Sequence, residues 1–138
     1  MYDIRLITED DFKQFSQLVI DMYKAIDSSY SEFQALNFLL HENHAFEGFM
    51  AIGLFDNDKL VGFTFGRKFN KKSFYFSGIY VIIKNNEWTK KLIDFSFAKI
   101  KEIGYEGWVA DASNSNIGSI LNNKYGAVAQ YTRYNGVL

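Results

Sequence analysis

Apolar and polar positions along this chain change their period in a regular order. Residues 2–7, YDIRLI, alternate and predict a short strand. Thr8 then opens T-E-D-D, a capping box with Asp in place of the usual Glu. Phe12, Phe15, Leu18, Val19 and Met22 follow on one helical face and predict a first helix. The segment DSSYSE interrupts it with residues that favour turns and caps. Phe33, Leu36, Leu39 and Leu40 predict a second helix that ends near His41.

From Gly48 the period becomes two. GFMAIGLF and KLVGFTFGRKF predict strands joined through DND, a hairpin signal. NKK turns into SFYFSGIYVII, Ser73 to Ile83, whose apolar residues on both faces predict a central strand. A polar loop with two Asn and no Gly comes next. Ile93, Phe97, Ile100 and Ile103 then predict a third helix, stopped by Gly104. GWVADAS predicts a fifth strand, and SNIGSILNNKYG a short helix closed by Gly126. AVAQYTRY predicts a sixth strand, with NGVL after it. The order is β-α-α-β-β-β-α-β-α-β. The connection from strand four to strand five is long enough for a right-handed parallel unit, while the short helix that follows permits return in either direction. The pattern predicts one α/β domain over residues 1–138, a mixed sheet with helices on both faces.

Composition narrows the function classes. With 138 residues the chain buries enough surface to need no covalent staple. It has no cysteine, which excludes a disulfide framework and a thiolate metal site and is compatible with the cytoplasm. A net charge of -1 argues against a broad grip on nucleic acid. The acidic N-terminus does not read as a signal peptide, and no apolar run is long enough to cross a bilayer. Aromatic residues make up 18% of the chain, so a single aromatic is weak evidence for a site. His41 and His44, with Glu42 between them and Glu47 beyond, read either as a metal cluster on a continued helix or as a polar helix end.

The order of elements resembles the GNAT family of N-acetyltransferases over nearly the whole chain. IRLITEDDF looks like the family's opening strand and helix start, and IYV at 79–81 like the end of its fourth strand. KLIDFSFAKIKEIGYEGW looks like its third helix and fifth strand, and KYGA at 124–127 like its K-L-G-F. The family's seventh strand has no expected counterpart, because the chain ends soon after the sixth.

The resemblance implies acetyl-CoA as acyl donor, with its pyrophosphate wrapped by backbone N–H groups of the loop after strand four. The family writes that loop R/Q-x-x-G-x-G/A. Aligned without a gap from Tyr80-Val81, its defining positions are Asn86, Thr89 and Lys91; with the loop two residues shorter they are Lys84, Glu87 and Thr89. Both glycines are missing in either alignment. Thr89 is then expected to expose its amide, with Lys84, Lys90 and Lys91 supplying charge and Glu87 opposing it unless it points away. A solvated loop with ordinary surface lysines accounts for the same residues.

By the same resemblance, Tyr80, Val81, Ile82 and Ile83 offer backbone groups to the thioester and pantetheine. Strand four carries no carboxylate to act as base. Asp111 in VADAS is the nearest later candidate, with capping of a turn as its other reading. The family's leaving-thiolate acid, a Tyr four residues before the Gly of K-L-G-F, falls on Asn122, which cannot act as an acid. Tyr125 lies on the stripe of Ile117 and Leu121 and reads either as the acid or as a packed aromatic with its hydroxyl at the edge. A cofactor-contacting Asn falls on Ser115, or on Asn116 with a slip of one. Two functions follow as expectations: an N-acyltransferase acting on a small-molecule or protein amine, or a GNAT-like domain without catalysis that binds a protein or ligand. An exposed sixth strand ending in Asn135-Gly136 adds the expectation of a homodimer, with some of Tyr131, Thr132, Arg133 and Tyr134 facing the partner.

Overall fold

The computed structural model describes residues 1–45, 47–112, 114–130 and 133–138; the side chains of residues 42, 44, 45, 128–130 and 133–135 lie outside that description. The first strand, β1 (Tyr2–Leu6), leads through a single 3-10 turn at Glu9–Asp11 into α1 (Phe12–Ile26). The T-E-D-D box forms as expected. The Thr8 amide donates to Asp11 Oδ2 at 2.9 Å, and Arg5 grips the same carboxylate with two N–H groups at 2.7 and 3.1 Å. Phe15, Leu18, Val19 and Met22 are buried, but Phe12 is 45% exposed, because the helix begins with Phe12 turned out of the core stripe.

The second helix, α2 (Glu32–Ala45), continues beyond His41. Its core face is Ala35 and Leu39, whereas Phe33 is 74% exposed. The helix is apolar on more than one side, so periodicity found Leu39 but added the exposed Phe33 and Leu40 and missed Ala35. Next come β2 (Met50–Asp56) and β3 (Lys59–Lys68), an antiparallel hairpin. Asn57 and Asp58 turn it with positive φ of 48° and 72°, the backbone that short hairpins require. The central strand β4 (Ser73–Val81) pairs with β3 along its length. Then follow α3 (Asn86–Ile103), β5 (Gly107–Asp111) and α4 (Ser115–Tyr125), the two helices closed by Gly104 and Gly126. β5 runs parallel to β4.

The C-terminus differs from expectation. β6 (Val128–Gln130) and β7 (Arg133–Val137) are separate antiparallel strands, so a seventh strand is present. Asn135-Gly136 forms no turn; it lies within β7, opposite Val109 and Trp108 of β5. Gly136 serves close approach instead: a Cβ there would stand 2.6 Å from the Trp108 ring. The sheet order is β1-β2-β3-β4-β5-β7-β6. The sixth strand thus has a return strand in β7, while β6 itself stands last in the sheet order. Tyr131, Thr132 and the side chains of Arg133 and Tyr134, expected to face a partner, lie outside the described residues.

Each face of the sheet has its own core. Phe15, Met22 and Leu39 of α1 and α2 pack on Phe55, Phe63 and Phe65. On the opposite face, Ile93, Phe97 and Ile100 of α3 and Ile117 and Leu121 of α4 pack on Phe74, Phe76, Ile79 and Trp108. Burying each such side chain contributes about 2 kcal/mol. Among the described residues a polar pair crosses the second interface: the Thr64 hydroxyl of β3 donates to Ser96 of α3 at 2.7 Å, and Ser96 donates to the Leu92 carbonyl one turn back at 2.8 Å. No described helix is long and apolar enough to cross a membrane.

Candidate active site

The site begins where two strands part. β4 and β5 pair only from Ser73 opposite Gly107 to Phe76 opposite Ala110. Beyond that point β4 continues to Val81 along β3, while β5 continues to Asp111 along β7. A bulge helps to turn β4 away. Phe65 pairs with Gly78 and Gly66 with Phe76, so Ser77 is the extra residue. Gly66 permits the tight crossing, since a Cβ on it would lie 1.9 Å from the Tyr75 carbonyl oxygen. Ser77 Oγ is buried at the fork without a hydrogen-bond partner, an unusual state for a hydroxyl.

Asp111 closes β5 at this fork. Trp108 and Ala110 alternate into the α3/α4 core, so Val109 and Asp111 take the other face, the one that α1 and α2 cover further along the sheet. There the Tyr75 hydroxyl donates to Asp111 Oδ2. The Tyr75 ring is held in turn by Arg67, whose guanidinium carbon stands 4.8 Å from the ring centre, and by Phe69 at 6.1 Å. On the same face, burial and then Asp21 push the Tyr80 phenol above its ordinary range.

The loop after β4 is short, residues 82–85. Asn85 caps α3, its side chain accepting from the Trp88 amide at 3.2 Å. Thr89 does not expose its amide: that group donates to the Asn85 carbonyl at 3.0 Å, the hydroxyl does the same, and the side chain is buried. The expectation of a free Thr89 amide is therefore not met, because that amide is already used in the first turn of α3. Ile82 likewise donates its amide to Val61 at 2.9 Å. Val81 and Ile83 pack against the core of Ile52, Leu54, Val61 and Leu92. Lys84 is exposed on the loop.

Three of the expected contact residues come together. Asn86 and Lys90 on α3 and Asn116 on α4 line one groove of about 320 Å³, joined by Ser119, Asn123 and Lys124. Asn116 donates to Asn86 Oδ1 at 3.2 Å across it. Lys91 is turned elsewhere, pairing with Glu87 at 3.3 Å and lying over the Trp88 ring at 4.3 Å. Glu87 therefore points away from the groove, as the charge argument required.

Tyr125 straps the two helices together. Its hydroxyl donates to Asp94 at 2.5 Å, its ring meets Phe97 edge-on, and Lys124 binds the same carboxylate at 2.8 Å. Burial, and then the Asp94 bond, hold the phenol far above its ordinary range, which makes it a reluctant acid. Burial pushes the Asp94 carboxyl up, but hydrogen bonds from Lys124 and Tyr125 outweigh this and leave it lowered. Tyr125 and Asp111 lie on opposite faces of the sheet. Of the residues that now matter, Ser77, Tyr75 and Lys124 were not singled out in the sequence. Only Ser77 left a signal there, as a hydroxyl beside Gly78 within a strand rich in aromatics.

The element order read from the sequence resembles that of the GNAT acetyltransferases, and comparison with solved structures bears out that fold. The chain superposes on a GNAT-family acetyltransferase from Staphylococcus aureus Mu50 with a TM-score of 0.81 at 13% identity, over 100% of this chain and 99% of that one. A GNAT-family acetyltransferase from Brucella melitensis, solved with acetyl-CoA, matches with a TM-score of 0.75 at 12% identity, over 100% and 88%. A ribosomal-protein-alanine N-acetyltransferase from Brucella melitensis biovar Abortus 2308 matches with a TM-score of 0.71 at 22% identity, over 94% of each chain. No family model matches the sequence, and neither does any curated protein.

Proposed function

We propose that residues 1–138 act as one acyltransferase domain that moves an acetyl group from acetyl-CoA to an amine. The observation that carries this reading is the fork, where β4 leaves β5 and Asp111 stands on the face opposite the α3–α4 groove. The groove suits an anion, because Lys90 and Lys124 bring positive charge and Asn86 and Asn116 bring amide donors. Lys84 adds charge from the loop. Ser77 Oγ, buried and unpartnered, fits a polar group held between the strands. The thioester supplies an activated acyl group. Asp111 takes a proton from the incoming ammonium; the amine nitrogen then forms the C–N bond to the acetyl carbon as the C–S bond breaks, and solvent protonates the released thiolate. Tyr125 is not needed as the acid.

A second reading, a GNAT-like binding domain without catalysis, is favoured by the loop, which has no Gly and whose Thr89 amide is committed within α3. Calorimetric titration with acetyl-CoA, followed by thiol release in the presence of a panel of primary amines, separates the two. The panel includes an alanine-terminated peptide, the acceptor type named for one structural relative. Saturable binding with amine-dependent thiol release, lost in Asp111→Asn, supports transfer. Binding without release from any amine leaves the second reading standing.

A further inference from the structure

Tyr75 belongs to β4, yet its hydroxyl is used on β5. In the parallel register Tyr75 faces Val109, so Asp111 lies two residues further along the neighbouring strand. Two residues span roughly 6.6 Å, comparable to the reach of a tyrosine side chain leaning along its strand. The bond therefore forms just past the last backbone pair, Phe76 with Ala110, where no further β4–β5 register pair forms. On its other side Asp111 is paired through the backbone with β7, opposite Arg133. The phenol supplies the tie to β4 that the backbone lacks.

The ring that carries the phenol is itself fixed. Tyr75 is buried, its cross-strand partner Arg67 lies over the ring, and Phe69 packs beside it. From this geometry we infer that Tyr75 is a positioning residue, whose hydroxyl holds the Asp111 carboxylate at the mouth of the fork in the orientation that receives the amine proton. This rests on the acyl-transfer reading above. Tyr75 keeps its own proton throughout; the proton lost by the amine goes to Asp111. A side chain fixed at both ends gives the base one orientation instead of several rotamers, and misplacement of a reacting group by about 1 Å costs on the order of a hundredfold in rate.

The test compares wild type with Tyr75→Phe, which keeps the ring and its packing. Turnover is followed as thiol release from acetyl-CoA with the best amine of the panel. In parallel, the carboxyl carbons of ¹³C-labelled aspartates are observed by NMR, with the Asp111 signal identified by its loss in Asp111→Asn. The expected result is a fall in kcat of roughly ten- to hundredfold with KM for acetyl-CoA within about twofold, the pattern of an interaction needed only for the chemical step. The Asp111 carboxyl signal moves in the same variant. An active wild type with an equally active Tyr75→Phe overturns the inference alone, and so does an Asp111 signal that does not move. A wild type that binds acetyl-CoA and turns nothing over overturns the transfer reading, and the positioning role with it.

Discussion

Charge removal at Asp11 offers a stability change whose size can be worked out from contacts. Asp11 is 6% exposed and accepts from Arg5, Thr8 Oγ1 and the Thr8 amide. The Arg5 hydrogen bond, joined by the Thr8 amide and against the cost of burial, lowers its carboxyl from 3.8 to about 2. At about 1.4 kcal/mol per tenfold change, the ionised form favours folding by about 2 kcal/mol. The guanidinium of Arg5 is 38% exposed and screened by solvent, which brings the expected contribution down to between about 1 and 2 kcal/mol. The folded value lies below the unfolded one, so this stability is fully present above about pH 4 and is lost as pH falls towards 2. Asp11→Asn keeps an acceptor for the Thr8 cap and removes the charge. Urea unfolding at pH 6 should show that loss with an unchanged m-value. Between pH 5 and pH 2.5 the variant should lose less stability than wild type by roughly two-thirds of that margin, since a carboxyl at about 2 is still mostly ionised at pH 2.5. Asp11→Ala should cost about 1 kcal/mol more, because the cap goes too. Equal stability of wild type and Asp11→Asn at pH 6, or parallel acid limbs, would refute the reasoning. The contact matters beyond stability, since it ties β1 to the start of α1, the helix that covers the Phe55, Phe63 and Phe65 face of the sheet.

Three further expectations follow from the same contacts. Glu87→Gln should leave acetyl-CoA affinity unchanged, because Glu87 faces Lys91 and Trp88; Lys90→Ala and Lys124→Ala should each weaken binding and flatten its salt dependence, all read by calorimetry in a salt series. Tyr125→Phe should lower stability by about 1 kcal/mol in urea unfolding, through loss of the Asp94 bond, and leave kcat for thiol release near wild type; a drop of a hundredfold would restore Tyr125 as the acid. Gly136→Ala should destabilise the fold by about 1–3 kcal/mol, read as a lower urea midpoint, because the new methyl meets the Trp108 ring.

Most of the fold was legible because local signals agreed with one another. The T-E-D-D box, the DND hairpin and the two closing glycines each act within a few residues, and all stand where the sequence put them. Errors arose where a residue answers to a distant partner. Gly136 reads locally as half of an Asn-Gly turn, but it is small because the Trp108 ring lies against it. Phe33 and Leu40 read as part of a core stripe with Leu39, but the sheet takes Ala35 beside Leu39 and leaves those two exposed. The site was legible in part for the same reason. Asn86, Lys90 and Asn116 could be found by alignment to a loop and a helix start. The fork could not, since it depends on where pairing between β4 and β5 stops, and no residue type announces that. Nor did any spacing link Tyr75 to Asp111, which are separated by an entire helix.

The missing glycines need not abolish an anion site, because the groove draws its charge from a different source. A glycine loop offers backbone amides, and here the cap and first turn of α3 have already consumed those of Trp88 and Thr89. Lys90 and Lys124 instead reach the groove as side chains, one from each helix. Their separation is set by the Asn116–Asn86 bond at one end and the Tyr125–Asp94 strap at the other. Lys124 is also paired with Asp94, so an incoming anion has to compete with a carboxylate for it. Binding through this groove is thereby expected to be weaker and more dependent on salt than binding through a glycine loop. On the acyl-transfer reading proposed above, the helix pair is the part of the molecule expected to govern affinity for acetyl-CoA. On the same reading the fork serves the proton transfer from the other side of the sheet, so variants of the two regions should affect KM and kcat separately.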